Sequence, residues 1–222
     1  MYQPSHFVER RIDVLQALIA ARPLGTLIRL DADGALQADA VPLLVEAGGG
    51  PLGTLRGHVA RANPLWRDAG AGGVPVLVVF HGPQGYVSPS WYASKAEHGK
   101  VVPTWNYVVV QARGTLRAVD DAVWLRGFVK RLTERFEAGR ETPWSVDDAP
   151  PDYTAATLRA IVGIEIELGS LEGKYKLSQN RDAADREGVV AGLRNDAARI
   201  GRAADAAALA DAVEQAQLAR RG

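Results

Sequence analysis

Residues 10–21 set Ile12, Leu15, Leu18 and Ile19 at helical spacing before Pro23 and Gly25 interrupt the run, which predicts a helix. From there to about residue 119 the apolar positions alternate with polar ones or form short runs, the pattern of strands. The expected strands cover 26–30, 36–46, 53–59, 74–80, 85–87 and 107–119. Asp-Ala-Asp-Gly at 31–34 is a hairpin signal, and Gly and Pro clusters at 48–51, 70–75 and 82–85 separate several of the strands.

Leu125, Phe128, Val129, Leu132 and Phe136 then mark an amphipathic helix, with Arg126, Lys130, Arg131 and Arg135 off its apolar stripe. Those four read as a solvated face, or as the one local basic stripe a polyanion would meet. Residues 143–153 are rich in Pro and Asp and predict a loop. In 161–168, Ile164, Ile166 and Leu168 alternate with Glu165 and Glu167, so this is a half-buried strand. The Ala-rich end of the chain predicts helices with balanced charge. Six or seven strands with a few helices argue a mainly β protein with peripheral helices, built as an antiparallel barrel.

Composition narrows the function classes. The chain has 222 residues, enough for a sizeable core, with 47% hydrophobic and 23% charged residues. Lys plus Arg and Asp plus Glu both number 26, so no net field draws the protein to a polyanion; direct DNA binding is open but unsupported by charge. The absence of cysteine removes disulfides, thiolate metal sites and cysteine nucleophiles. The opening residues lack a basic region followed by a long apolar core, so no signal peptide is expected. No stretch approaches the roughly 20 apolar residues of a membrane helix. The expected location is the cytoplasm.

Three clusters carry candidate chemistry. In Gly57-His58-Val59-Ala60-Arg61-Ala62-Asn63-Pro64, a guanidinium and an imidazole sit where Asn63-Pro64 turns the chain. They suit an anion, or they satisfy local carbonyls. Trp91, Tyr92, Trp105 and Tyr107 gather aromatic rings beside Ser88-Pro89-Ser90. Flat rings with polar edges suit a flat ligand, or they close a barrel core. The densest cluster is Gly173-Lys174-Tyr175-Lys176-Leu177-Ser178-Gln179-Asn180-Arg181, placed between a strand-like and a helix-like run. Its mix of donors reads as an anion site where a helix could begin, or as a solvated loop. Three or four charge-assisted bonds of about 1.5–3 kcal/mol each, with stacking, could sustain micromolar binding of a flat, phosphate-bearing cofactor. No Gly-x-Ser-x-Gly elbow is present, and the strand, Gly-x-Gly-x-x-Gly and helix sequence of a Rossmann site is not found, since the glycines at 48–53 lead into an expected strand.

With these segments in order, the chain resembles the PaiB-type family of FMN-binding split-barrel proteins, often labelled negative transcriptional regulators. The resemblance also includes Met1-Tyr2, Pro4 and His6-Phe7, with Tyr86-Val87 and Val102-Pro103-Thr104-Trp105-Asn106-Tyr107, and it spans residues 1 to about 195. It implies a six-stranded antiparallel split β-barrel over 1–195; the Ala-rich helical extension over 196–222 departs from the short ending the resemblance leads one to expect. It also implies a homodimer with FMN across the dimer interface. By that analogy His58, Arg61 and Asn63 take the phosphate, and Ser88, Ser90, Trp91 and Trp105 lie by the ring or ribityl chain. Lys174, Lys176, Ser178 and Gln179 arrive from the later segment. The expected output is flavin-linked regulation; the alternative is an FMN-dependent oxidoreductase using a nicotinamide reductant. The catalytic residues are left open, and no metal is expected.

Overall fold

The computed structural model describes residues 1–46, 50–70, 72–196 and 203–219. The expected separators at 48–51 and 70–75, and the tail after 196, therefore fall partly outside the described residues. The described residues form strands β1 (Val8–Glu9), β2 (Leu24–Leu30), β3 (Leu36–Pro42), β4 (Leu44–Glu46), β5 (Thr54–Ala60), β6 (Val74–Val87), β7 (Thr104–Val119) and β8 (Ile161–Lys176). The helices are α1 (Ile12–Ala21), α2 (Leu65–Asp68), α3 (Ser94–His98), α4 (Ala122–Glu137), α5 (Pro151–Arg159), α6 (Ala183–Asp196) and α7 (Ala203–Leu218). The class is the expected one, mainly antiparallel β with peripheral helices, of the split-barrel type. The described residues hold eight strands, against six or seven expected, because the run at 36–46 breaks at Leu43 and a two-residue strand pairs near the start of the chain.

Two compact units make up the chain. The first comprises Met1–Arg11, His81–Val110 and Glu172–Gly222; the second comprises Ile12–Phe80 and Gln111–Leu171. The long strands β6, β7 and β8 each contribute a stretch to both.

In the second unit the strand order is β3-β2-β6-β7-β8-β5-β4. The β2–β3 hairpin closes as expected. The Asp31 carboxylate accepts from the amides of Asp33 (3.0 Å) and Ala35 (2.9 Å), and Gly34 supplies the left-handed turn at φ 79°. β5 pairs with β8 from Thr54↔Glu167 to Ala60↔Ile161. Alternation along β8 buries Val162, Ile164, Ile166 and Leu168 and turns Glu165 and Glu167 outward. Leu15, Ile19, Leu27, Leu55, Phe80, Leu116, Leu125 and Phe128 complete this core. α4 begins as the periodicity predicts, with the Asp121 side chain accepting from the Trp124 amide at 2.7 Å. Phe136, expected on its apolar stripe, is exposed.

In the first unit β1 pairs with the end of β8, Val8↔Lys174 and Glu9↔Gly173. Phe7, Val87, Tyr92, Val108, Leu177, Val189, Leu193 and Leu209 are buried there. α6 and α7 pack on each other, joined at the surface by Arg194 to Asp211 and Glu214, each at 3.0 Å.

Three sequence expectations are corrected. The Gly-Pro cluster at 82–85 does not separate two strands, because β6 runs unbroken through it. The β2 ladder along β6 ends at Val79, so Pro83 lies past it and its missing N–H costs no bond to β2. The loop expected at 143–153 ends in a helix, as Pro151 takes the first position of α5, where a missing amide hydrogen is harmless. The nine-residue cluster at 173–181 does not open a helix. Gly173 to Lys176 are still in β8, a turn follows, and α6 starts only at Ala183, where Asp182 accepts from the Asp185 amide at 2.8 Å.

Candidate functional site

The period-two geometry of a strand puts Lys174 and Lys176 on the same face of β8. The Lys174 ammonium sits 5.5 Å from the Tyr2 ring centroid and 5.4 Å from that of Tyr107; the Lys176 ammonium is 6.0 Å from Tyr107. Lys176 donates to the Thr104 hydroxyl at 2.5 Å and to the Trp105 carbonyl at 2.7 Å. Among the described residues no carboxylate pairs with either lysine. Burial, and the charge of Lys174 beside it, push the Lys176 pKa below its ordinary value, with Tyr107 opposing the shift. Two adjacent ammoniums held by ring faces and neutral oxygens, with Lys174 only 9% exposed, form an uncompensated positive centre.

Next to it, Asn106 is fully buried and its amide nitrogen donates to Ser178 Oγ at 2.9 Å, while its Oδ1 is buried without a partner. Ser178 is itself buried and held at φ 63°, the one described non-glycine residue with positive φ. That conformation costs roughly 1 kcal/mol or more, and such strain gathers at binding sites. The turn is braced by Gln179, whose side chain accepts from the Leu177 amide at 2.7 Å and donates to the Tyr175 carbonyl at 2.5 Å. Tyr107 and Trp105 also line a cavity of about 290 Å³ with His81, Gly82 and Gln84. Trp105 is 51% exposed and meets the exposed Tyr86 edge to face at 6.4 Å. The ring faces of Trp105 and Tyr107 and two uncompensated ammoniums fit a planar molecule with an anionic tail, while the orphaned Asn106 oxygen is enclosed and does not line the cavity.

The other expected residues are used locally. The Ser88 side chain accepts from the Ser90 amide, and Ser90 Oγ accepts from Lys95 at 3.3 Å. Trp91 lies against α6, where Gly188 and Gly192 make room for it. A Cβ at Gly188 would stand 1.9 Å from the Trp91 carbonyl oxygen, and one at Gly192 2.2 Å from its ring. These residues, like Lys174 to Gln179, belong to the first unit.

His58, Arg61 and Asn63 belong to the second unit. Arg61 makes a two-pronged pair with Asp120 (2.6 and 2.8 Å) and donates to the carbonyls of Arg159 and Ile161. The Asn63 amide donates to Asp39 at 2.8 Å, and its oxygen accepts from the Leu65 amide at 2.9 Å. Burial pushes the His58 pKa below its ordinary value, so the ring is neutral at pH 7 and brings no charge to a phosphate. Sequence reasoning quoted Thr104 and Asn106 only as parts of the Val102–Tyr107 motif without giving them a role, and did not single out His81 or Gln84. Asn106 could have been found as the polar residue between Trp105 and Tyr107, whereas His81 and Gln84 were hidden by the Gly-Pro segment.

Two lysines against the Tyr107 ring, beside a cavity lined by Trp105 and Tyr107, are chemistry that suits a planar anion. The chain belongs to the family described as "Putative FMN-binding domain", whose model matches residues 1–170; Lys174 to Gln179 lie beyond that stretch. FMN is the cofactor that this membership assigns. A protein of Emericella nidulans is 35% identical to the chain, covering 88% of it and 91% of the relative. The Bacillus subtilis protein called protease synthase and sporulation protein PAI 2 is 31% identical, covering 88% of the chain and 90% of the relative. Among solved structures, the flavocytochrome Anf3 of Azotobacter vinelandii shares the fold, with TM-score 0.60, 13% identity and coverage of 82% and 75%. No described helix is long and apolar enough to cross a membrane.

Proposed function

We propose that this protein is a cytoplasmic FMN-binding homodimer of the PaiB type whose output is regulatory. In this reading residues 1–195 are the flavin-binding domain and 196–222 a helical extension. The observation that carries it is the pair of ammoniums on β8, Lys174 and Lys176, set without a carboxylate beside the Tyr107–Trp105 cavity. Lys174 and Lys176 hold the phosphate, the bonded pair of Asn106 and the strained Ser178 supports the turn beneath them, and Trp105 covers a ring face. Ser88 and Ser90 border the same unit, and Gln179 fixes the turn that carries Ser178. FMN supplies reversible electron transfer when bound. The relative's printed name, protease synthase and sporulation protein, supports regulation as the output.

Regulation by direct DNA contact is disfavoured. Of the α4 basic residues, Arg126 pairs with Asp147 at 2.6 Å, Arg131 with Glu46 at 3.0 Å, and Arg135 donates to the Ala20 carbonyl at 2.8 Å. Lys130 lies 3.8 Å from Asp147. Purified protein titrated with FMN is expected to quench flavin fluorescence at micromolar concentration, at one FMN per chain, and to sediment as a dimer. Protein that leaves the fluorescence unchanged overturns the reading. Bleaching of bound flavin by NADH or NADPH would move the output from regulation to oxidoreduction.

A further inference from the structure

The second unit contains a cavity of about 160 Å³ bounded by His58, Val129, Trp144, Val146, Tyr153 and Ile161. Apolar cavities of roughly 150 Å³ stay dry and accept a single benzene ring. The two threonines in the wall have their donors in use: Thr154 Oγ1 donates to the Pro150 carbonyl at 3.2 Å and Thr157 Oγ1 to the Tyr153 carbonyl at 2.9 Å, which leaves them acceptors only. His58 is different. Its ring meets Phe128 edge to face at 5.9 Å, and among the described residues nothing hydrogen-bonds its nitrogens. At the same cavity Trp144 is 49% exposed and Tyr153 66%, large aromatic areas left in water.

We propose that this cavity binds a small, uncharged, single-ring aromatic molecule carrying one hydroxyl or N–H group, with His58 as its hydrogen-bond partner and Trp144 and Tyr153 closing over it. A neutral imidazole offers one donor and one acceptor, which matches a phenolic hydroxyl. Burial keeps His58 uncharged at neutral pH, so a carboxylate entering the cavity would lose its hydration without meeting a cation. The volume matches one ring, and the exposed Trp144 and Tyr153 leave the cavity open to solvent on their side. This inference shares no residue with the flavin site proposed above, and it gives His58, which the resemblance assigns to the phosphate, to the second-unit cavity instead.

The test uses phenol, toluene and benzoate as probes on the full chain, with and without FMN. Binding is followed by saturation-transfer NMR and by the rise in melting temperature that a ligand selective for the folded state produces. Phenol is expected to saturate at millimolar concentration, with benzoate at least tenfold weaker. His58→Leu should bring phenol and toluene within threefold of each other by weakening phenol alone. Ala149→Phe, which fills the cavity, should abolish binding of both while circular dichroism shows the fold retained. Should Ala149→Phe fail to fold, the His58→Leu comparison decides. The proposal is overturned if phenol does not saturate, if benzoate binds as well as phenol, or if folded Ala149→Phe binds phenol undiminished.

Discussion

The arginines on β2 and around β5 in the second unit and the lysines at the end of β8 in the first are similar in charge and opposite in circumstance. Arg29 meets Asp68 at 2.5 Å, Arg56 bridges Glu46 and Glu165, and Arg61 grips Asp120. Each of these cations has an acid within reach and is part of the scaffold. Lys174 and Lys176 have rings, a hydroxyl and a carbonyl instead. A buried cation without its counter-ion is costly unless something supplies the charge, and a bound anion is what supplies it. The difference separates cations that hold the fold from cations kept for a ligand.

The sharpest way to break this comparison is to reverse the charge at the proposed ligand end. Lys174→Glu/Lys176→Glu removes two charge-assisted contacts of about 1.5–3 kcal/mol each, so FMN affinity should fall at least 100-fold in a fluorescence titration. Affinity within threefold of the parent would place the phosphate elsewhere. Removing an acid from the scaffold end should act on stability instead. Asp68→Ala strands Arg29, whose side chain is 2% exposed, and breaking a buried pair from one side costs about 3–5 kcal/mol. At roughly 2–4 °C per kcal/mol for a chain of this size, melting should drop by roughly 10 °C, with FMN affinity at saturating folded protein unchanged. A drop below 2 °C would show that the pair is not holding the fold.

This distinction could not be read along the chain. His58-Val59-Ala60-Arg61 and Lys174-Tyr175-Lys176 look alike as local clusters, because the acid that neutralises Arg61 is 59 positions away and nothing local announces it. What was legible was periodic: α4 from its apolar spacing, the β2–β3 hairpin from its Asp-Gly turn, the alternation of β8 around Glu165 and Glu167. What failed was punctuation. Pro83 reads as a break but sits where no β2 ladder bond is lost, and Pro151 reads as loop but starts a helix. Lys174 and Lys176 were legible as anion-binding types, whereas the buried Asn106 oxygen and the positive φ of Ser178 exist only after folding.

Protonation offers a finer test. The folded pKa of Lys176 lies below the unfolded value, so the folded state binds fewer protons between the two. The stability contributed by this group therefore rises with pH through that window and is diminished below it. Tyr175, pushed up to about 12 mainly by burial, works the other way: its folded state keeps the proton, and stability falls as pH rises from about 10 toward 12. Because the two oppose each other near pH 10, the lysine is best followed directly by NMR of labelled side chains. Lys176 should titrate below the ordinary lysine value, and FMN should move it upward, since a phosphate beside it favours the charged form. A Lys176 titration that FMN leaves unmoved would separate this residue from the anion.

The smallest effect is expected where the charges are most numerous. Replacing Arg126, Lys130, Arg131 and Arg135 with Ala removes exposed pairs and one bond to a carbonyl, each worth about 0–1 kcal/mol. The sum is limited further because Arg126 and Lys130 share Asp147, so losing both strands one exposed carboxylate rather than two. Melting should fall by only a few degrees and FMN affinity should stay within twofold. The same variant tests whether the stripe has a second use. If the parent protein shifts DNA in a gel with steep salt dependence and the variant does not, then these cations release their acids to a polyanion, and the division between scaffold charge and ligand charge fails at α4. Equal behaviour of the two proteins toward DNA at every salt concentration would leave α4 as scaffold and the β8 lysines as the positive centre kept for a ligand.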